Sequence, residues 1–131
     1  MNKKFIVPFD TARQLREKGY PQKLATMYYD TFSGGEISLI TDRECVSCVV
    51  EGNDRHPLFK RLSELYIAAP TYHEVVDWLQ ERKVRIYAEY CNGWWYGFID
   101  NSETMEVEAT VRYQTREEAI NDGILKALEM L

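Results

Sequence analysis

Residues 71–131 constrain this chain most, because two marked helix starts and three strand-like runs follow one another there. Thr71-Tyr72-His73-Glu74 and Thr115-Arg116-Glu117-Glu118 both have the T-x-x-E form of a capping box. In that motif the threonine side chain accepts from the amide three residues on, while the glutamate reaches back to the cap amide. Between the boxes lie 84–91, 94–99 and 105–113, rich in aromatic and β-branched residues and separated by Asn92-Gly93 and Asp100-Asn101-Ser102. The spacing predicts a helix from Tyr72 to about Lys83, three antiparallel strands, and a closing helix. Ile120, Ile124, Ala127, Leu128 and Leu131 recur on that last helix every three or four residues. In the third strand Met105, Val107, Ala109, Val111 and Tyr113 alternate with Glu106, Glu108, Thr110 and Arg112. A period of two predicts that the first set faces a core and the second faces water. Gly123 marks a place where the closing helix is expected to be approached closely.

The first seventy residues are less sharply written. Residues 5–9 read as a short edge strand stopped by Pro8, which has no amide to donate. Asp10 then reads as the N-cap of a helix to about Lys18 with Ala12, Leu15 and the stem of Arg16 inward. Gly19 supplies the left-handed position after it, Tyr20 is its anchor, and Pro21 prevents its resumption. Residues 24–32 and 36–40 flank Ser33-Gly34-Gly35 as a hairpin, and 45–50 is a third apolar run. Residues 51–56 have loop composition. Pro57 opens a helix to about Tyr66, with Leu58, Leu62, Leu65 and Tyr66 on one face, and 67–70 is a connector held extended at Ala69 by Pro70. With no internal repeat, low-complexity tract or linker, residues 1–131 read as a single α+β domain. Its expected design is an antiparallel sheet with helices packed mainly on one face, built on the C-terminal α-β-β-β-α unit, with residues 1–70 packed on it.

Composition narrows the function classes. Hydrophobic residues make up 45% and charged residues 28%, values of a globular chain. A net charge of −5 and a pI near 5.1 argue against a broadly basic nucleic-acid surface, since phosphate contacts dominate that kind of affinity. No apolar run approaches the roughly 20 residues that cross a bilayer. The first ten residues hold too short an apolar segment for a signal peptide. The three cysteines are an odd number, unlike a secreted disulfide framework, so a soluble, cytoplasmic protein is expected.

Two resemblances follow from these residues. The helix-strand-strand-strand-helix order of 71–131 resembles the architecture of double-stranded RNA-binding domains. Where those domains place lysines to straddle phosphates, this chain has Thr115-Arg116-Glu117-Glu118-Ala119, so the match concerns fold and not that binding mode. Over nearly the whole chain, four blocks resemble, in the same order, a group of small proteins of gut Bacteroides-type bacteria and their phages or prophages. The blocks are residues 9–20, Tyr28-Tyr29-Asp30, Ala69-Pro70-Thr71 with Trp78-Leu79-Gln80-Glu81, and residues 113–119. That resemblance implies a mobile-element origin and no particular activity.

The chemical leads are few. Cys45-Val46-Ser47-Cys48 has the C-x-x-C spacing of zinc ribbons and thiol redox enzymes, but Cys91, His56 and His73 form no second closely spaced pair. In a strand-like run, moreover, the two thiols face opposite ways. Buried structural thiols are therefore expected. His73 and Asp77 are one turn apart beside Glu74, and a solvated helix face explains them. No phosphate loop, nucleophile elbow or zinc-protease signature is present, so no catalytic residue, metal or cofactor is predicted. Aromatic residues make up 13% of the chain, and Tyr87, Tyr90, Trp94, Trp95 and Tyr96 crowd onto two adjacent strands. Alternation sends Trp94, Tyr96 and Phe98 to one face and Trp95 and Ile99 to the other. If helices cover one side only, Tyr87 or Trp95 becomes an exposed stacking platform; the favoured alternative is that the N-terminal half covers that side and buries them, since large exposed apolar patches are rare. The expected function is that of a non-enzymatic phage or prophage accessory protein binding an unknown protein partner or a second copy of itself through that sheet. The alternative is a nucleic-acid-binding module using Tyr87 and Trp95 with Arg82, Lys83 and Arg85 at the helix-strand junction.

Overall fold

The computed structural model describes residues 3–22, 25, 27–31, 38–40 and 66–131. The chain is α+β, with three helices and two antiparallel three-stranded sheets among the described residues. It divides into two units, residues 1–7 with 71–131, and residues 8–70. Each sheet belongs to one unit, where the sequence suggested a single sheet.

In the 8–70 unit, α1 spans Phe9–Glu17. It begins two residues earlier than expected. Pro8, with φ −61°, is the N-cap, and its carbonyl accepts from the Ala12 amide at 2.9 Å. Asp10 therefore lies inside the first turn, where its carboxylate meets Arg13 at 3.5 Å in solvent. Thr11, Ala12 and Leu15 are buried. The helix ends in a Schellman motif: Gly19 has φ +94°, its amide donates to Arg16 O at 3.1 Å, and the Tyr20 amide donates to Leu15 O at 2.9 Å. The strands are β1 (Tyr28–Asp30), β2 (Ser38–Ile40) and β3 (Tyr66–Ala68), in the order β2-β1-β3. Tyr66 thus pairs with Asp30 in a strand instead of closing a helix. Tyr28 is fully buried against Ala68, and its hydroxyl donates to Gln22 O at 2.8 Å. The hairpin turn at 33–35, the run 45–50 with Cys45 and Cys48, the loop 51–56 and the helix 57–65 lie outside the described residues.

In the other unit, the expected strand at 5–9 is replaced by a 3-10 turn at Lys3–Phe5 and a single bridge from Ile6 to Thr71. Next come α2 (Tyr72–Glu81), β4 (Val84–Cys91), β5 (Trp94–Asn101), β6 (Glu106–Ala109) and α3 (Arg116–Glu129). The Thr71 box is complete: Thr71 Oγ1 accepts from the Glu74 amide at 3.2 Å and Glu74 Oε1 accepts from the Thr71 amide at 3.0 Å. At the second helix Thr115 Oγ1 accepts from the Glu118 amide at 3.2 Å. Asn92 (φ 53°) and Gly93 (φ 85°) form the two-residue hairpin turn between β4 and β5, with positive φ at both positions as the twist of paired strands demands.

The helices α2 and α3 pack on each other and on β4, with α3 also lying across β5. The covered face carries Val84 and Ile86 of β4 and Ile99 of β5, all buried. Gly97 sits under α3: a side chain there would run into the Ala119 carbonyl. A Cβ at Gly123 would stand 3.2 Å from Ile86 Cγ2, so the helix does approach the sheet closely at that point.

The third strand does not follow its expected parity. Ile99 pairs with Glu108 and Asn101 with Glu106, so both glutamates share the helix-side face, while Val107 pairs with Asp100 on the other. Val107 and Val111 are 66% and 68% exposed. The physical reason is twofold. β6 is an edge strand separated from the end of α3 by an open groove, so facing the helices does not bury it. It is also followed by a bulge: Phe98 pairs with Ala109 but Trp95 bridges Tyr113, leaving one extra residue on the later strand. Thr110, expected outside, is buried in that bulge, and Leu131, expected inside, is 42% exposed past the end of α3.

Candidate functional site

The face of the β4-β5-β6 sheet opposite the helices carries the cross-strand pairs Arg85–Asp100, Tyr87–Phe98, Glu89–Tyr96 and Cys91–Trp94. Strict alternation puts these pairs on one side and Ile86–Ile99 on the other. Tyr87 and Phe98 are stacked with ring centroids 5.2 Å apart and 18° between planes. The Arg85 guanidinium lies 4.6 Å from the Tyr87 ring centre, and that of Arg112 lies 4.4 Å from the Trp94 ring centre. Tyr87, Trp94, Tyr96 and Phe98 each keep part of their surface in solvent, and Val107 and Ala109 extend the apolar area onto the edge strand. Arg85 and Arg112 are balanced by Glu89 and Asp100, so the surface is aromatic and carries both charges.

The five residues picked out from sequence separate in space. Tyr87 and Arg85 come together on this face. Trp95 is on the helix side, its ring 5.4 Å from that of Tyr90. Arg82 folds over Trp78, with its guanidinium 3.9 Å from the indole centre and Nη1 donating to Trp78 O at 3.2 Å. Lys83 follows the C-cap of α2 with φ +68°, and its carbonyl accepts from the Ser102 amide at 3.0 Å. The lysine is thus fixed by the helix stop and is held in a left-handed conformation that glycine adopts without strain. Lys83→Gly is expected to raise stability by about 0.5–1 kcal/mol, read as a higher urea midpoint. Trp94, Tyr96, Phe98 and Arg112 belong to the surface and were not selected from sequence. Their shared parity was legible for the first three, but which side the helices cover was not.

Tyr113 ties the strand after the bulge to α3, its hydroxyl donating to Asp122 Oδ2 at 2.8 Å. Desolvation raises the Tyr113 pKa above its ordinary value of 10.0, and the bond to Asp122 and the charges of Asp122 and Glu118 push it the same way. The neutral phenol is the form the fold prefers. Its contribution is therefore complete below pH 10 and is lost as pH rises through the folded-state value. Stability above pH 10 should fall more steeply in the native protein than in Tyr113→Phe, as measured by urea unfolding across pH 9–11.

Other leads remain ordinary. His73 Nε2 is 3.4 Å from Asp77 Oδ2, with both side chains in solvent. Among the described residues no group of three or more His, Cys, Asp or Glu is arranged to hold a metal, and no helix is long and apolar enough to cross a membrane. A depression of about 320 Å³ opens between Phe5 and the first turns of α2 and α3. The Thr71 and Glu74 amides at the start of α2 and the Glu118 amide of α3 are already taken by cap side chains, which weakens both helix starts as anion sites. No protein family, curated protein or solved structure matches this chain.

Proposed function

We propose that the protein is a non-enzymatic accessory protein of a phage or prophage that acts by binding protein, with a second copy of itself as the simplest occupant of the aromatic sheet face. The observation that carries the binding reading is the sheet side without a helix of its own unit, where Tyr87, Trp94, Tyr96 and Phe98 form one partly exposed surface. Exposed apolar surface of this kind on a folded unit marks an interface more often than it serves no purpose. Self-association is supported by the charges, because Arg85 and Arg112 on one copy find Glu89 and Asp100 on another. The mobile-element origin rests on the four sequence blocks.

Nucleic acid fits this surface less well. The Arg82 guanidinium is taken up over the Trp78 ring, and Arg85 stands across the strands from Asp100. Phosphate binding needs an excess of positive charge there.

Light scattering over a rising concentration series tests the reading, with Tyr96→Lys as the disrupting variant. Tyr96 pairs with Glu89 across the strands, so the new lysine has an acidic neighbour and the fold should hold. The native protein is expected to approach twice the monomer mass and Tyr96→Lys to remain a monomer. A native protein that stays monomeric at all concentrations, or a dimer indifferent to Tyr96→Lys, rules out self-association through this face.

A further inference from the structure

β6 is an edge strand, and its backbone is half used. Thr110 N donates to Gly97 O at 2.8 Å. In an antiparallel ladder such bonded pairs alternate, so the amides and carbonyls of Glu108 and Glu106 turn toward β5 while those of Val107 and Ala109 turn away from it. Among the described residues no strand pairs with that outer edge. The side chains along it are sorted by face: Val107 and Ala109 on the aromatic side, Glu106 and Glu108 on the helix side. Below the two glutamates a groove of about 330 Å³ runs to the end of α3, lined also by Lys126, Glu129 and Met130. Its carboxylates outnumber its one ammonium, and the carbonyl end of α3 adds negative potential.

Edges of this kind are usually guarded, and the glutamates do guard against one occupant. A second copy of β6 laid antiparallel and centred on Val107 would put Glu106 opposite Glu108. Centred on Glu108, it would put that residue opposite itself. Like charges directly opposite disfavour the pairing. The same charges favour a strand with basic side chains at alternate positions.

We propose that the outer edge of β6 binds an extended segment of a partner protein whose residues alternate basic with aliphatic. The basic side chains would lie over Glu106 and Glu108 in the acidic groove, and the aliphatic ones beside Val107 and Ala109. This deepens the reading that the protein works by binding protein; the edge adjoins the aromatic face and shares Val107 and Ala109 with it, and the backbone bonds to those two residues supply strand addition.

The test uses the full chain and a seven-residue peptide, capped at both ends, alternating lysine with valine. Two controls are a peptide of the same composition with its lysines contiguous, and one N-methylated at the amides facing β6. At about ten times the dissociation constant of the alternating peptide, amide hydrogen exchange at Val107 and Ala109 is expected to slow about tenfold. The contiguous and N-methylated peptides should produce no slowing, and the effect should weaken as salt rises. A Glu106→Lys, Glu108→Lys double variant should lose the response, and both side chains are exposed, so the fold is not at stake. Unchanged exchange at the two amides, equal slowing by any control, or an unaffected double variant would overturn the proposal. Because Tyr96→Lys alters the aromatic face and leaves these amides in place, failure of one surface is distinguishable from failure of the other.

Discussion

Gly97→Ala is expected to destabilise the 71–131 unit by about 3 kcal/mol or more, the largest effect of any single methyl group there. The added carbon would meet the Ala119 carbonyl of α3 and would also stand 3.0 Å from Thr110 Cγ2. A side chain in the way moves to another rotamer, but a helix backbone moves only as a whole. Relief therefore requires lifting α3 from β5 and surrendering contacts at Ile120, Ile124 and Leu128, all buried. Urea unfolding followed by tryptophan fluorescence would read the loss. Gly123→Ala is the informative contrast. Its Cβ is crowded by Ile86 Cγ2 at 3.2 Å, with Ile99 at an ordinary 3.9 Å, and replacing a helical glycine returns up to about 1 kcal/mol of propensity. Its net effect should stay within about 1 kcal/mol of zero. If Gly97→Ala were equally mild, the close seating of α3 on the sheet would be wrong.

Thr110→Val should cost about 2 kcal/mol. The change is nearly isosteric, so it isolates the hydroxyl. Thr110 Oγ1 accepts from the Gly97 amide at 2.9 Å and donates to Val111 O at 2.7 Å. The bulge removes the backbone acceptor that Gly97 would otherwise meet, and the threonine side chain substitutes for it. Valine leaves that amide buried and unbonded, which is the costly half of losing a hydrogen bond. Thr110→Ser keeps the hydroxyl and should recover most of the difference, while exchange of the Gly97 amide should be fast in the valine variant alone. Equal stability of all three forms would mean that the hydroxyl is not what secures the bulge.

Gly97 in a strand and Thr110 among polar alternates look unremarkable in a string of letters. Their roles come from α3 descending on β5 and from one extra residue beyond β6. Alternation across 105–113 is real, and apolar residues at every second place ordinarily face a core. The helices cover β4 and β5 and stop short of β6, so the set that faces them is acidic and the other set meets solvent. For the same reason Trp95 and Tyr87, joined in one expected site, stand on opposite sides of the sheet.

What the sequence determined alone is local. The capping threonines, the Asn92-Gly93 turn, the Gly19 stop and the order of helices and strands after Thr71 depend on chemistry within a few residues, and they appear where the letters put them. The tertiary structure decided what depends on distant partners: that 1–7 joins 71–131, that Tyr66 extends a sheet with Tyr28–Asp30, and which side of β4-β5-β6 the helices occupy. Strand parity fixes only that two faces differ. Burial is assigned by whatever packs above them, and that was written in α2 and α3, not in the strands.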